Sequence, residues 1–175
     1  MAEPIVTERP SILDDLKPKV ADAIREETKL FDKPMWIVGG ERLREVCAAA
    51  RDDGFVHLAC ITAVDRIDDG VIDVVYNLYS YETLEHLALK VRAPRDDARV
   101  PSVTSVWSAA GFLEREQYDL VGVVFEGHPN LRRILLPDPW QGHPLRKDYD
   151  MATEQYISKG PEGGDVVSTD PESGW

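Results

Sequence analysis

The spacing of apolar positions divides the chain into a short series of elements. From Ser11, the residues Leu13, Leu16, Val20 and Ile24 recur three and four apart, as on one helix face. Pro18 fits best in a first turn, which predicts a regular helix beginning near Lys17. Residues 35–38, MWIV, form a short apolar run suited to a strand and ended by Gly39-Gly40. The clearest helix follows in ERLREVCAAARDDG, where Leu43, Val46, Cys47 and Ala50 make an i, i+3, i+4, i+7 stripe and Gly54 is placed to end it. FVHLACITAV (55–64) is rich in apolar and β-branched residues and reads as a strand. After the turn IDDG, Ile72, Val74, Tyr76 and Leu78 alternate with Asp73, Val75 and Asn77. HLALKVRAP alternates again, so these two runs predict an antiparallel pair. PRDDARVP (94–101) reads as a polar loop, and a helix is predicted from at least Ala109 to Leu120. The order α-β-α-β-β-β-α predicts an α+β fold, a mixed β-sheet with helices packed on one side, over residues 11–122.

Beyond Gly122 the periodicity ends. Pro129, Pro137, Pro139 and Pro144 rule out a helix or long strand. Yet Phe125, Leu131, Ile134, Leu135, Leu136, Trp140, Leu145 and Tyr149 are too apolar for a loop in water. An extended proline-rich segment, residues 123–157, therefore has to lie on a surface, its own domain or a partner. Residues 1–10 read as a tail. Residues 158–175, Gly/Pro/Ser-rich with one Lys against four acidic residues, read as an acidic flexible tail that orders at most against a neighbour.

A hydrophobic fraction of 43% supports a packed core, and a formal net charge of −12 argues against nucleic acid or an anionic lipid surface as a direct partner. No apolar run approaches a membrane span, and the acidic, mixed N-terminus has neither the pattern of a secretory signal nor that of a transit peptide. Cys47 and Cys60 are the only cysteines and are expected to be buried and reduced, as in a cytosolic protein.

The candidate chemistry concentrates in EGHPNLRRILLPDPWQGHPLRKDY (126–149), which contains Gly-His-Pro twice. His128 and His143, with Asp119, Asp138 or Asp148, could form a two-nitrogen, one-carboxylate metal site and so a stand-alone metal-dependent hydrolase. Against this, each His precedes a Pro, which restricts its backbone to extended conformations, and Arg132, Arg133, Arg146 and Lys147 would repel a cation. An acid/base pair lacks any neighbouring nucleophile, and no phosphate-binding glycine loop is present. Glycines that permit positive φ, prolines that fix φ, and His and Arg donors instead favour a rigid anchoring segment. Glu114-Arg115-Glu116 and Asp119 are placed to pair with Arg132/Arg133 or Arg146/Lys147, and Arg115 with Asp119 along their helix.

These residues resemble the 30 kDa subunit family of respiratory complex I. The family pattern is met by Glu114-Arg115-Glu116, Asp119, Gly122, Phe125, Gly127-His128-Pro129, Leu131 to Leu135 with Arg132 and Arg133, and Gly142-His143-Pro144 through Arg146, Lys147 and Asp148 to Tyr149. ITAVDR, VVYNLYS and VPSVTSVWSAAGFLERE also look like family segments, and the likeness spans about residues 35–150. Gly111-Phe112 and Asp150-Met151 depart from the usual pattern. The resemblance implies a non-catalytic structural subunit of the hydrophilic arm of a proton-pumping NADH:quinone oxidoreductase. It implies no cofactor in this chain, with FMN and iron–sulfur clusters in partner subunits. The implied neighbours are the large quinone-site subunit and the small cluster-bearing subunit. Membrane contact would come only through the complex, on the cytoplasmic face. Relatives also serve membrane-bound hydrogenases and complexes fed by ferredoxin or a deazaflavin, which leaves those machines, and more distantly a soluble adaptor, as alternatives.

Overall fold

The computed structural model describes residues 11–152, 155–160 and 162–169. The predicted tail 1–10 lies outside the described residues, as does the end of the predicted acidic tail, 170–175.

The first helix, α1 (Ile12–Val20), starts earlier than the proline suggested: Pro18 sits in its last turn, and Ile12, Leu16 and Val20 are the buried positions. A 3-10 turn (Ala21–Ala23) then leads into β1 (Ile24–Leu30), an element that apolar spacing did not predict. Its Arg25-Glu26-Glu27-Thr28-Lys29 core is exposed throughout. This strand is made by pairing with β2 (Lys33–Val38), antiparallel from Ile24↔Val38 to Leu30↔Lys33. After a 3-10 turn (Gly40–Arg42), α2 (Leu43–Asp52) buries all four residues of its predicted stripe. Each large apolar side chain so buried is worth about 1.5–3 kcal/mol.

β3 (His57–Arg66), β4 (Val71–Tyr79) and β5 (His86–Pro94) form an antiparallel meander, and β5 runs parallel to β2. The sheet order is β1-β2-β5-β4-β3, which makes the sheet mixed, as the alternation predicted. One face carries Trp36, Val38, Ile61, Val74, Tyr76 and Leu89 and meets α1, α2 and α3 (Ala110–Val121) in a single core. Residues 99–101, read as loop, form β6 (Arg99–Pro101), paired in parallel with β7 (Val124–Glu126) across α3. Where composition predicted a flexible tail, β8 (Tyr156–Lys159) and β9 (Asp165–Ser168) form a two-stranded antiparallel hairpin.

The sheet has two ends that matter below. At one, β3 and β5 finish and β4 starts, with Arg66 opposite Val71 and Val71 opposite Pro94. At the other lie the β1–β2 and β4–β5 turns, with Tyr79 between His57 and His86.

Candidate docking interface

A helix ends with four carbonyls that have no partner within it. In α3 these belong to Tyr118, Asp119, Leu120 and Val121, and each one is satisfied. The Gly122 amide takes Tyr118 (3.0 Å). The His143 ring donates Nδ1–H to Asp119 (2.9 Å), the Leu145 amide donates to Leu120 (2.9 Å), and Arg146 Nε donates to Val121 (2.8 Å). The second Gly-His-Pro and the residues after it thus form a cap supplied by a remote stretch of chain. Two guanidinium groups, Arg133 and Arg146, lie at this end, where the helix dipole favours cations. Gly122 closes the helix in the left-handed region (φ 81), and a Cβ there would come within 2.5 Å of the His143 ring.

The segment between the two Gly-His-Pro motifs runs along α3 as a strap. The His128 amide bonds the Phe125 carbonyl, its Nε2 donates to Gly111 (3.0 Å) near the start of α3, and its Nδ1 accepts the Asn130 amide (2.9 Å). Arg115 reaches the carbonyls of Arg132 and Arg133 (3.0 and 2.9 Å). Asp119, wholly buried, accepts the amides of Ile134, Leu135 and Leu136 at 2.8–2.9 Å and pairs with Arg133 at 2.7 Å. Arg133 also donates to the carbonyls of Trp140 and Gly142, folding the strap back toward the end of α3.

The strap's end is clamped to the sheet where β3 and β5 finish. Arg95 forks onto Asp65 (2.7 and 3.0 Å) and reaches Asp148 (2.6 Å), while the Lys147 amide donates to Asp65 (2.8 Å). The Arg95 guanidinium holds the carboxyls of Asp65 and Asp148 below the usual carboxylate range. Burial would push Asp119 up, but the amides of Leu136, Ile134 and Leu135 and the Arg133 guanidinium bring it below its ordinary value. Burial lowers the His143 imidazole, favouring the neutral ring. Burial raises the Glu114 carboxyl despite hydrogen bonds from Ser102 and the Val103 amide.

Residues 36–155 of the chain match the family described as "Respiratory-chain NADH dehydrogenase, 30 Kd subunit". The chain belongs to this family. The C subunit of NADH-quinone oxidoreductase from Moorella thermoacetica is 44% identical over 124 residues, covering 70% of this chain and 84% of that protein. Its counterpart in Geobacter sulfurreducens is 40% identical over 139 residues, 78% and 86% of the two chains. That of Chloroherpeton thalassium is 51% identical over 96 residues, but the match spans only 40% of its length. Among solved structures, the trypsin-resistant fragment (1–134) of Nqo5 superposes with a TM-score of 0.59 at 32% identity, covering 69% of this chain and all of the fragment. A chain of the membrane-bound sulfane sulfur reductase, an archaeal respiratory membrane complex, does so with a TM-score of 0.65 at 30% identity, covering 80% and 84%.

In this 30 kDa subunit the signature residues are brought together, but chiefly with one another. His128 and His143 bond carbonyls eight residues apart on α3, about 12 Å of helix rise. They therefore do not converge on a common ion, and among the described residues no group of three or more His, Cys, Asp or Glu could hold one. Asp119 pairs with Arg133 rather than with Arg115. Gly127 and Gly142 both take φ 81, each ahead of a His-Pro, and Leu131 packs on the core. The Arg132 and Lys147 side chains are exposed and make no hydrogen bond or ion pair among the described residues, Glu116 stays half-buried, and Pro129 and Pro144 stiffen the two bends.

Four residues with structural roles escaped the sequence reading. Arg44 on α2 holds the Ser102 and Glu126 carbonyls (2.8 and 2.6 Å), and Gln117 accepts the Ala63 amide (2.9 Å). Asp65 and Arg95 form the clamp described above. Asp65 lies in ITAVDR, a segment noted for its likeness without a role, and the other three carried no signal beyond being single polar residues. Cys47 is buried with its thiol pushed well up by burial, and Cys60 is only half-buried.

Proposed function

We propose that this chain is a non-catalytic structural subunit of the hydrophilic arm of a proton-pumping NADH:quinone oxidoreductase, docked against the subunits that form the quinone site. The carrying observation is the division of labour within the signature. Its buried polar groups fold the strap onto α3 and the sheet, which leaves Leu135, Leu145 and Met151 exposed at 61%, 58% and 75%, beside Arg132 and Lys147, whose side chains have no partner among the described residues. A rigid surface that presents large apolar side chains and cations loses little entropy on docking.

On this reading the partners are the large quinone-site subunit and the small cluster-bearing subunit, and FMN and the iron–sulfur clusters reside in other chains. Electrons pass from NADH to quinone through those chains, while this subunit fixes their geometry. On the same reading, attachment to the membrane runs through the complex, at its cytoplasmic face; none of the described helices is long and apolar enough to cross a membrane. The likeness to a chain of the sulfane sulfur reductase favours one second reading, the equivalent subunit of a related membrane-bound complex; the co-purifying subunits decide between them.

The test is Leu145→Gln with Lys147→Gln in the intact complex. Both side chains are exposed, so the isolated chain should melt as the unaltered one does. Retention of the subunit in the membrane complex, and NADH:quinone reductase activity with it, should fall about tenfold or more. Full activity in a complex of normal composition would defeat the proposal.

A further inference from the structure

The sheet end away from the strap is built around two strained, exposed side chains. The two-residue loop Phe31-Asp32 joins β1 to β2 with φ of 47 and 63. Positive φ at both central positions is what a two-residue type I′ hairpin needs, and Asn-Gly supplies it with least steric conflict. Phe31 meets it with a ring that is 93% exposed, so this residue serves neither the core nor the turn. Leu84, in the β4–β5 turn, repeats the combination, with φ 61 and 57% exposure.

The two turns are neighbours, because β2 and β5 start side by side with Met35 opposite Ala88. A cleft of about 210 Å³ beside them is lined by Leu30, Phe31, Leu78 and Leu87, with Lys33 and His86. The apolar surface continues through Tyr79, 4.6 Å from the His86 ring and 5.1 Å from Tyr81. Asp32 lines a separate cleft with Glu27 and Lys29, and Glu85 accepts from Ser11 and the Ile12 amide. The outer edge of the sheet is closed to strand addition by the charged run Arg25 to Lys29.

We propose that this end is a second docking surface, which takes from a neighbouring protein of the complex a segment with a large apolar side chain beside a carboxylate. The apolar group fills the cleft between Phe31 and Leu87, and the carboxylate meets Lys33 and His86. Phe31 precedes the stretch matched to the family, 36–155, so the family likeness does not assign it. The inference rests on the docking role proposed above and makes this chain a bridge, held at the strap by one neighbour and at the turns by another.

The experiment places the photoreactive residue p-benzoylphenylalanine at position 31 in the intact complex. Illumination should link it to one neighbouring protein, at a peptide with an apolar residue adjacent to Asp or Glu. Alongside it, Phe31→Asn with Leu84→Asn should raise the Tm of the isolated full chain by about 2–4 °C, since Asn tolerates left-handed backbone. The same pair should lower retention of the chain in the complex about tenfold. A merely structural role would not separate these two readouts. Normal retention of the double variant, no cross-link from position 31, or a cross-link to a second copy of this chain would overturn the inference while leaving the strap's docking role intact. Absence of the unaltered chain from any membrane complex would instead overturn the docking role, and this inference with it.

Discussion

The strap's attachment depends most on one carboxylate. Asp119 is fully buried, yet it is surrounded by three amides and a guanidinium that all point at its two oxygens. A chain stiffened by prolines cannot bond to itself in a regular way, so its amides need an acceptor from outside, and Asp119 on α3 is that acceptor. Asp119→Ala removes the acceptor and leaves the Arg133 guanidinium, with its side chain 16% exposed, without its counter-charge. The expected loss is about 3–5 kcal/mol of stability. Asp119→Asn keeps one acceptor oxygen and should lose less. Urea unfolding followed by the tryptophan fluorescence of chains in which Trp140, within the strap, is the one tryptophan kept, measures both; equal stability of the unaltered and Ala chains would show that the strap does not depend on this residue.

At the scale of elements, the strap and the end of α3 form one unit whose stability depends on pH. The folded His143 imidazole lies below its ordinary value, first because it is buried. Its contribution is therefore complete above about pH 6.5, the ordinary imidazole value, and is lost as pH falls from there toward the folded value. Asp65 and Asp119, both depressed, contribute above the ordinary carboxylate value of about 3.9 and lose that contribution in stronger acid. Glu114, raised by burial, has the opposite sign and offsets part of the carboxylate step. The protection factor of the Leu145 amide, its exchange rate relative to an unfolded peptide at the same pH, should therefore fall in two stages on acidification, and His143→Asn should remove the first. The elements differ in how far the sequence revealed them. α2 buries one face, and along β4 and β5 the large apolar residues alternate on the face turned to the helices, so their period showed in the sequence, although Asp73 of β4 and Ala88 and Lys90 of β5 are buried on the other face. β1 has charged residues on both faces, while β6 and β7 are three residues each; their existence depends on partners far along the chain, which periodicity does not register. The same holds for the site. The signature picked out His128, His143 and Asp119, but their roles rest on contacts such as Lys147 to Asp65, 82 residues apart, that only folding reveals.

For the whole molecule, the strap and the hairpin after it should behave as two tiers. The strap is fastened at the start of α3 by His128, at its end by His143, Leu145 and Arg146, and to the sheet through Asp65 and Arg95. Opening it exposes three carbonyls of α3 and frees Asp65 from the Lys147 amide, so it should open only with the domain. β8 and β9 are four residues each and, among the described residues, pair only with one another, and a lone two-stranded ribbon is marginal in water. In the isolated chain, the amides of Ile134, Leu135, Leu136 and Leu145 should exchange at the rate of global unfolding, while those of Ile157 and Val167 exchange many orders faster. In the assembled complex the second group should slow as a neighbour covers the ribbon, and the first should change little. Fast exchange at Leu145 in the isolated chain would mean that the partner, and not α3, holds the strap; unchanged fast exchange at Ile157 in the complex would remove the ribbon from the interface.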